Sequence, residues 1–303
     1  MRVHPLWLCA ISVTSVALLS GQSKTVAERL GYPADSKLLI IHADDLAVAH
    51  AVDSASFDAL EKGAVTSASI LVPCPWLTEV AEYAKAHPGA DLGLHLDLTS
   101  EWNTYRWGPI ESKDKVASLL DPAGLFWNLT APVAAHVRPE EAERELRAQV
   151  ERALAVGIRP THLDTHMGAM FATPALTAVY AKVAHDYHLP FLASRIPGAD
   201  LSAISEKDVV LDSVVIVNTD VPPAQWKQSY RNAIKNMKPG FSELIVHLGY
   251  DGPELQAIMG QGPFGSSWRQ RDYDVITSPE LKKELEDNHI ILVKWKDVRK
   301  LVQ

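Results

Sequence analysis

Two adjacent carboxylates and three distant histidines are the side chains of this sequence best suited to shared chemistry. Asp44 and Asp45 follow an apolar run, and His95, His166 and His247 each lie near the end of a later apolar stretch. Such runs are typical of buried parallel strands, and ligands of α/β proteins collect where the carboxyl ends of these strands meet. We therefore predict one shared site that contains all five side chains.

The acid pair needs a local change of backbone direction to act as a unit. Neighbouring strand residues point to opposite faces, so a turn that begins at Asp45 is required to bring Asp44 and Asp45 together. One carboxylate could then bind a metal while the other acts as a base. The alternative is that Asp45 caps the following helix and Asp44 pairs with a surface cation.

Carboxylates accompany two of the histidines at a spacing of two residues. His95 and Asp97 share one face of a predicted strand, and His162, Asp164 and His166 share a face of another. We expect Asp97 and Asp164 to lie behind the histidines and support them. Any one of these histidines alone is more often a core or surface residue.

Imidazoles and a carboxylate together make a common catalytic metal site. Neutral histidines and one carboxylate leave open positions for water and substrate. A metal held in this way acidifies water and polarises a carbonyl oxygen. His247 would remain free to give a proton to a leaving amine or alkoxide. Its alternative role is that of a structural histidine with one fixed tautomer.

Repeated strand and helix segments predict an α/β protein with a parallel sheet. About eight such units favour a TIM-like (β/α) barrel of seven or eight parallel strands, and an open doubly wound sheet is the alternative. Two long connections, 99–137 and 249–278, follow strands that carry a candidate histidine and would form the substrate walls. The predicted strands are 38–42, 68–72, 91–98, 161–164, 191–194, 214–218, 243–247 and 290–295. The predicted helices are 54–62, 76–87, 139–156, 174–188, 223–237, 279–287 and 298–302.

Composition limits the class of partner. The 303 residues are 47% hydrophobic and 22% charged, as in ordinary globular proteins, and the net charge is −8. Without a basic patch, we expect no nucleic-acid partner. Cys74 is the only cysteine besides Cys9, so we expect neither a disulfide framework nor a cysteine metal site.

The N-terminus has the pattern of a secretory signal. A basic start, an apolar stretch over 5–19 and small or polar residues after it predict a signal peptide over 1–22 and a single domain over 23–303. A membrane anchor is the alternative, but the stretch is shorter than the roughly 20 apolar residues of a spanning helix. We expect an exported protein without a membrane span after cleavage.

Four ordered motifs give the chain a family resemblance. The motifs are ADDLA at 43–47, GAVTSAS at 63–69, GLHLDLT at 93–99 and THLDTH at 161–166. With these motifs the chain, from about residue 37 to residue 295, resembles the YdjC-like carbohydrate deacetylases. Two departures are Leu46-Ala47, where the family commonly has Phe-Gly, and Leu248, where it has proline.

The resemblance implies a fold, an activity and a ligand set. The fold would be a TIM-like barrel related to polysaccharide deacetylases, and the reaction would remove acetyl groups from N-acetylated amino sugars or short oligosaccharides. One divalent cation, Mg²⁺ or Zn²⁺, would be bound by Asp45, His95 and His166, with Asp44 as the base. Hydrolysis of another amide or ester, or sugar binding without catalysis, are the alternatives.

Aromatic side chains in the two long connections suit a carbohydrate wall. Trp102, Tyr105 and Trp107 lie close together after the His95 strand, and Trp268 and Arg269 lie in the second connection. Sugar rings stack their apolar faces on such rings, so we predict that these five residues bind substrate. The alternative is that the aromatic residues pack their loop on the barrel rim.

Overall fold

The computed structural model describes residues 24–195, 201–218, 220–260 and 262–302. The predicted signal peptide lies outside these residues. Within them, seven parallel strands form one sheet in the order β4-β3-β2-β1-β6-β5, with β7 paired to β1. The strands are β1 (Lys37–Leu46), β2 (Ser67–Ile70), β3 (Leu92–Leu96), β4 (Leu163–Thr165), β5 (Ser213–Ile216), β6 (Gly240–Val246) and β7 (Ile290–Leu292).

The sheet curls so that its two edges approach each other. Phe191 bridges to Leu163 beside β4, and Ser194 bridges to Leu211 beside β5. Residues 191–194 were expected to form a full strand, but they make only these isolated bridges. The predicted parallel barrel of seven or eight strands is confirmed, with this short segment in the place of the eighth strand.

Helices connect the strands and cover the outside of the sheet. Helix α10 matches its predicted bounds, and most of the others differ from theirs by a few residues. The connection 249–278 is largely helical, because Pro253 suits the first turn of a helix and residues 266–276 continue as a second helix. The helices are α1 (Val26–Arg29), α2 (His50–Glu61), α3 (Leu77–Ala86), α4 (Thr130–His136), α5 (Pro139–Ala155), α6 (Pro174–Asp186), α7 (Trp226–Lys235), α8 (Pro253–Met259), α9 (Ser266–Ile276), α10 (Pro279–Asp287) and α11 (Trp295–Val298).

The central strand β1 separates two apolar clusters. Leu39 and Ile41 pack in the larger cluster with the surrounding helices, whereas Leu38 and Ile40 pack with Trp295 in the smaller one. Side chains of a strand alternate between its faces, so the even-numbered positions lead along one face toward the carboxyl end. In the part of the chain that the structure describes, no helix is long and apolar enough to cross a membrane.

Candidate active site

A backbone irregularity at the end of β1 brings both carboxylates to one place. His42 and Asp44 continue the face of Leu38 and Ile40, and regular geometry would turn Asp45 away. Instead, Asp45 has a φ of 73°, and the pairing of β1 with β2 shifts register between Ala43 and Leu46. Bulges of this kind re-aim side chains, and aspartate tolerates the left-handed region. The turn that the adjacent acids required is therefore present.

The predicted ligand set converges at this irregularity. One ligand atom each from Asp45, His95 and His166 lies within 4.8 Å of the other two. Asp45 Oδ1 is 3.4 Å from His95 Nε2 and 3.4 Å from His166 Nδ1. This oxygen is buried and has no hydrogen-bond partner among the described residues. Two imidazole nitrogens therefore face an unsatisfied carboxylate oxygen.

Asp164 supports His95 from behind, where the sequence placed it. Its Oδ1 lies 2.8 Å from His95 Nδ1, and its Oδ2 lies 2.9 Å from His42 Nε2. A carboxylate accepts hydrogen bonds, so Nδ1 of a neutral His95 carries the proton and Nε2 presents its lone pair to the site. Burial opposes ionisation of Asp164, but His95 and His42 hold the pKa of this carboxyl well below its usual range.

His42 is a member of the site that the sequence analysis missed. It is fully buried, and its Nε2 also lies 3.3 Å from Asp44 Oδ1. Although burial opposes its charge, hydrogen bonding to Asp164 and the nearby Glu243 raise the pKa of His42 to about 10. His42 therefore links the support of His95 to Asp44. Its position two residues before Asp44 on the same strand face was the available signal.

Glu101 is a second member of the site that was not predicted from the sequence. Its Oε2 lies 3.0 Å from His166 Nε2, at the start of the long connection after β3. Because the Glu101 carboxylate accepts a hydrogen bond, Nε2 of a neutral His166 carries the proton. Its Nδ1 then presents a lone pair toward Asp45. The two histidines thus present different ring nitrogens, each set by its own carboxylate.

Asp44 and His247 face each other across the site without a direct hydrogen bond. Asp44 Oδ2 lies 3.8 Å from His247 Nε2 and 3.7 Å from His95 Nε2. Burial, only partly offset by His95, raises the pKa of Asp44 to about 6, and burial lowers the pKa of His247 to about 3. The alternative in which Asp44 pairs with a surface cation is wrong, because Asp44 is only 5% exposed and its ionic partners are histidines.

His247 is positioned by two neighbours from α9. Its backbone N–H donates to Asp272 Oδ2 at 3.0 Å, and its ring lies 4.7 Å from that of Trp268. Asp272 also accepts hydrogen bonds from Trp226 Nε1 and the Tyr230 hydroxyl. Trp268 was predicted to bind substrate; it packs against the candidate acid and is one of the residues that line the cavity beside it.

Arg269 is hydrogen-bonded to Asp45, the second member of the acid pair. Its Nη2 donates to Asp45 Oδ2 at 2.6 Å, and both side chains are almost fully buried. Burial alone would raise the pKa of Asp45, but Arg269 and His166 hold it well below its usual range. We predicted contact with substrate, and the structure adds a role in fixing the orientation of Asp45. The alternative in which Asp45 caps α2 is wrong, since Ala49 holds the N-cap position of that helix.

The aromatic connection divides into pocket and packing residues. Trp102 lines the cavity into which Asp44 and Asp45 open, whereas Tyr105 and Trp107 are not among the residues that line this cavity. The Tyr105 hydroxyl donates to the Val48 carbonyl, and buried Trp107 donates from Nε1 to Asp97 Oδ2 at 2.5 Å. Their polar groups therefore help to pack the loop, and contact of Tyr105 and Trp107 with substrate stays a prediction.

Asp97 has a different partner from the one expected. It accepts hydrogen bonds from Trp107 and from the backbone N–H and hydroxyl of Thr99. It was expected behind a candidate ligand, but the turn after β3 directs it to the loop. Asp97 therefore anchors the connection that carries Glu101 and Trp102.

A cavity of about 1020 Å³ opens above these residues. It is large for a small-molecule site, which typically occupies about 300 to 1000 Å³. Polar groups gather at its floor, and the wall beyond them is mainly apolar. The floor residues are Asp44, Asp45, His95, Glu101, His166, His247 and Arg269.

The residues present fit a divalent cation. Two neutral imidazoles and a carboxylate are a donor set that binds Zn²⁺ and related ions, and the unpartnered Oδ1 of Asp45 lies between the two nitrogens. Among the described residues, two other groupings of ligand atoms occur, His42 with His162 and Asp44 with His95, and both require Asp164. Since both oxygens of Asp164 are already bonded to histidines, the set of Asp45, His95 and His166 suits a cation best.

Comparison with known proteins agrees with the resemblance noted in the sequence. The sequence profile described as "YdjC-like protein" matches residues 38–287. The chain belongs to this family. A carbohydrate deacetylase from Thermus thermophilus is 31% identical over 282 residues, which cover 90% of this chain and 97% of that protein. One from Brevibacillus brevis is 30% identical over 267 residues, covering 86% and 99%.

A solved structure is similar to this fold. It comes from Enterococcus faecalis V583 and is provisionally described as a cellobiose-phosphate cleavage protein. Its sequence is 27% identical, the TM-score is 0.75, and the match covers 87% of this chain and 99% of that one. The similarity therefore extends over nearly the whole of the solved chain.

The first departure from the YdjC-like pattern has a structural cost. Ala47, where the family commonly has glycine, has a φ of 75°. Left-handed backbone costs a residue with a Cβ roughly 1 to 2 kcal/mol. The second departure, Leu248, is fully buried in the larger apolar cluster. Neither change replaces a candidate ligand.

Proposed function

We propose that this YdjC-like protein is a metal-dependent hydrolase that removes acetyl groups from N-acetylated amino sugars or short oligosaccharides. The observation that carries the proposal is the convergence of Asp45, His95 and His166 on one point at the floor of a large cavity. The carbohydrate deacetylases that align along most of the chain support the substrate class.

The floor residues have distinct parts in this reaction. Asp45, His95 and His166 would hold the cation, which when bound would polarise the acetamide carbonyl. Asp44 would take a proton from the attacking water, and His247 on the opposite side would deliver a proton to the departing amine. Because the pKa of His247 is low, it starts neutral, and the proton that Asp44 removes from the water balances the one that the departing amine receives.

The ligand set favours one of the two candidate cations. Two imidazoles favour Zn²⁺, whereas Mg²⁺ prefers oxygen ligands and retains several waters. Element analysis of protein purified without added metal, followed by chelation and reloading with each ion, decides between them. We expect activity to disappear with the metal and to return on reloading.

A panel of substrates tests the reaction itself. Acetate release from N-acetylated sugars is expected, and release from acetyl esters or simple acetamides alone would favour a different hydrolase. Sugar binding without acetate release would favour a binding protein. His95→Ala is expected to lose both metal and activity, and His185→Ala, which changes an exposed histidine outside the cavity lining, serves as the control.

We also propose that the protein acts outside the cytoplasm as a single domain over 23–303, on the basis of the apolar N-terminal stretch. Sequencing the N-terminus of protein recovered from the exported fraction tests this. Retention of residues 1–22 would contradict the proposal.

A further inference from the structure

The wall of the cavity is unlike a surface made for sugar hydroxyls. Beyond the polar floor, most of the described lining residues are apolar, and the few polar ones are mainly threonine and serine. Each sugar hydroxyl that leaves water needs a hydrogen-bond partner, and an unmade bond costs free energy. Aromatic rings can stack on the apolar faces of a sugar, but the hydroxyls of several sugars lying along this wall would find few hydrogen-bond partners.

Exposed apolar side chains extend this wall to the protein surface. Four of the large hydrophobic residues that are most exposed line the same cavity. They are Met167, Phe171, Ile216 and Phe264, exposed by 41%, 43%, 50% and 56%. Contiguous exposed apolar surface of this kind marks a binding site.

The apolar surface is continuous with the candidate catalytic residues. Met167 directly follows the ligand candidate His166 and has a left-handed φ of 51°, and it lines the cavity. On the other side, Phe264 packs edge-on against Trp268 with ring centroids 5.4 Å apart, and Trp268 packs against His247. A molecule whose acetamide reached the floor would therefore place its adjoining group against this surface.

From this arrangement we propose that the substrate is an N-acetylated amino sugar linked to a large apolar group, which lies against Met167, Phe171, Ile216 and Phe264. The assignment rests on the proposed deacetylation and specifies its substrate class. One polar sugar would occupy the floor, and the attached hydrocarbon would cover the wall. Burial of that group would supply binding free energy that the wall cannot gain from hydroxyls.

Two glycosides that differ only in their apolar group test the assignment. Methyl and octyl glycosides of N-acetylglucosamine, used below the micelle concentration, are compared by acetate release. We expect kcat/KM to be about 10-fold or more higher for the octyl glycoside, the effect of removing two or more methylene groups from water. Equal kcat/KM values for the two glycosides would overturn the assignment and leave the deacetylation intact.

Paired variants locate the effect. Ile216→Ser is expected to lower the ratio of the octyl value to the methyl value toward one. Ile110→Ser is the matched control, because Ile110 is 36% exposed and is not among the residues that line the cavity. An equal loss for both glycosides in Ile216→Ser would contradict a role specific to the apolar group.

Calorimetry and size-exclusion chromatography separate the remaining outcomes. Tighter binding of the octyl glycoside without acetate release would refute the proposed function and retain the apolar site. Equal binding of the two glycosides would overturn the site. If Ile216→Ser converts a dimer to a monomer without changing the octyl preference, the surface joins two copies of the chain and the assignment fails.

Discussion

His95 Nδ1 lies 2.8 Å from Asp164 Oδ1, and this contact turns the opposite ring nitrogen toward Asp45. Substituting Asp164→Asn keeps the shape of the side chain and removes its charge. The ring of His95 is then less basic and its tautomer less fixed, so we expect cation affinity to fall by about 10- to 100-fold. Titration calorimetry of the metal-free protein measures this affinity.

A second carboxylate and histidine pair provides the control. His185 Nε2 lies 2.8 Å from Asp208 Oδ1 at the surface, and neither residue lines the cavity. Asp208→Asn is expected to leave cation affinity unchanged. An equal loss in both variants would show that the effect of Asp164→Asn is not specific to the site.

Asp44 is expected to act on turnover and not on metal content. The substitution Asp44→Asn removes the proposed base but leaves the three ligand candidates in place, so kcat should fall by about 10² to 10⁴. Element analysis and kcat are measured on the same preparation. A metal-loaded variant with full activity would exclude Asp44 as the base, and a variant without metal would make it a ligand.

The sequence was informative wherever a strand fixed the position of a side chain. Two adjacent acids that must share a site require a departure from strand geometry, and that departure occurs at Asp45. The spacing of two residues likewise placed Asp164 behind a histidine. His42 has the same spacing of two residues from Asp44, but it was overlooked because it ends the apolar run.

Side chains on the long connections could not be placed in this way. Glu101 and Arg269 reach the site from loops and helices whose paths depend on contacts distant in sequence. Trp107 was assigned to substrate because its type suits a sugar, yet its N–H is bonded to Asp97. The residue type limits the interactions that a side chain in a loop can make. Which group it contacts is determined by the fold.

The hydrogen bond from Trp107 to Asp97 is expected to stabilise the folded protein. In Trp107→Phe the buried Asp97 loses a donor to its charged carboxylate, so the free energy of unfolding should fall by about 1 to 3 kcal/mol. Trp127→Phe is the matched control, because Trp127 donates to the neutral carbonyl of Ser118 in a partly buried position. We expect a smaller loss there. Urea unfolding measures both, and equal losses would argue against a special role for the Asp97 contact.

Gly93 permits a close approach of β3 to a buried histidine. A Cβ at this position would lie 2.3 Å from Cε1 and Nε2 of His162, whereas nothing lies within 4 Å of a Cβ at Gly89. His162 is fully buried and stacks on Trp295 with centroids 5.1 Å apart, so its ring has little freedom to move. We expect Gly93→Ala to lower the free energy of unfolding by about 1 to 3 kcal/mol or more.

Two further variants isolate this contact. Gly89→Ala is expected to change the free energy of unfolding by less than about 0.5 kcal/mol, as for most surface substitutions. The steric conflict should also be relieved when the ring is removed, so Gly93→Ala should cost less in a His162→Ala background than in the native chain. Urea unfolding of the four proteins of this cycle measures the coupling. Additive effects of the two substitutions would show that the cost at Gly93 does not come from the imidazole of His162.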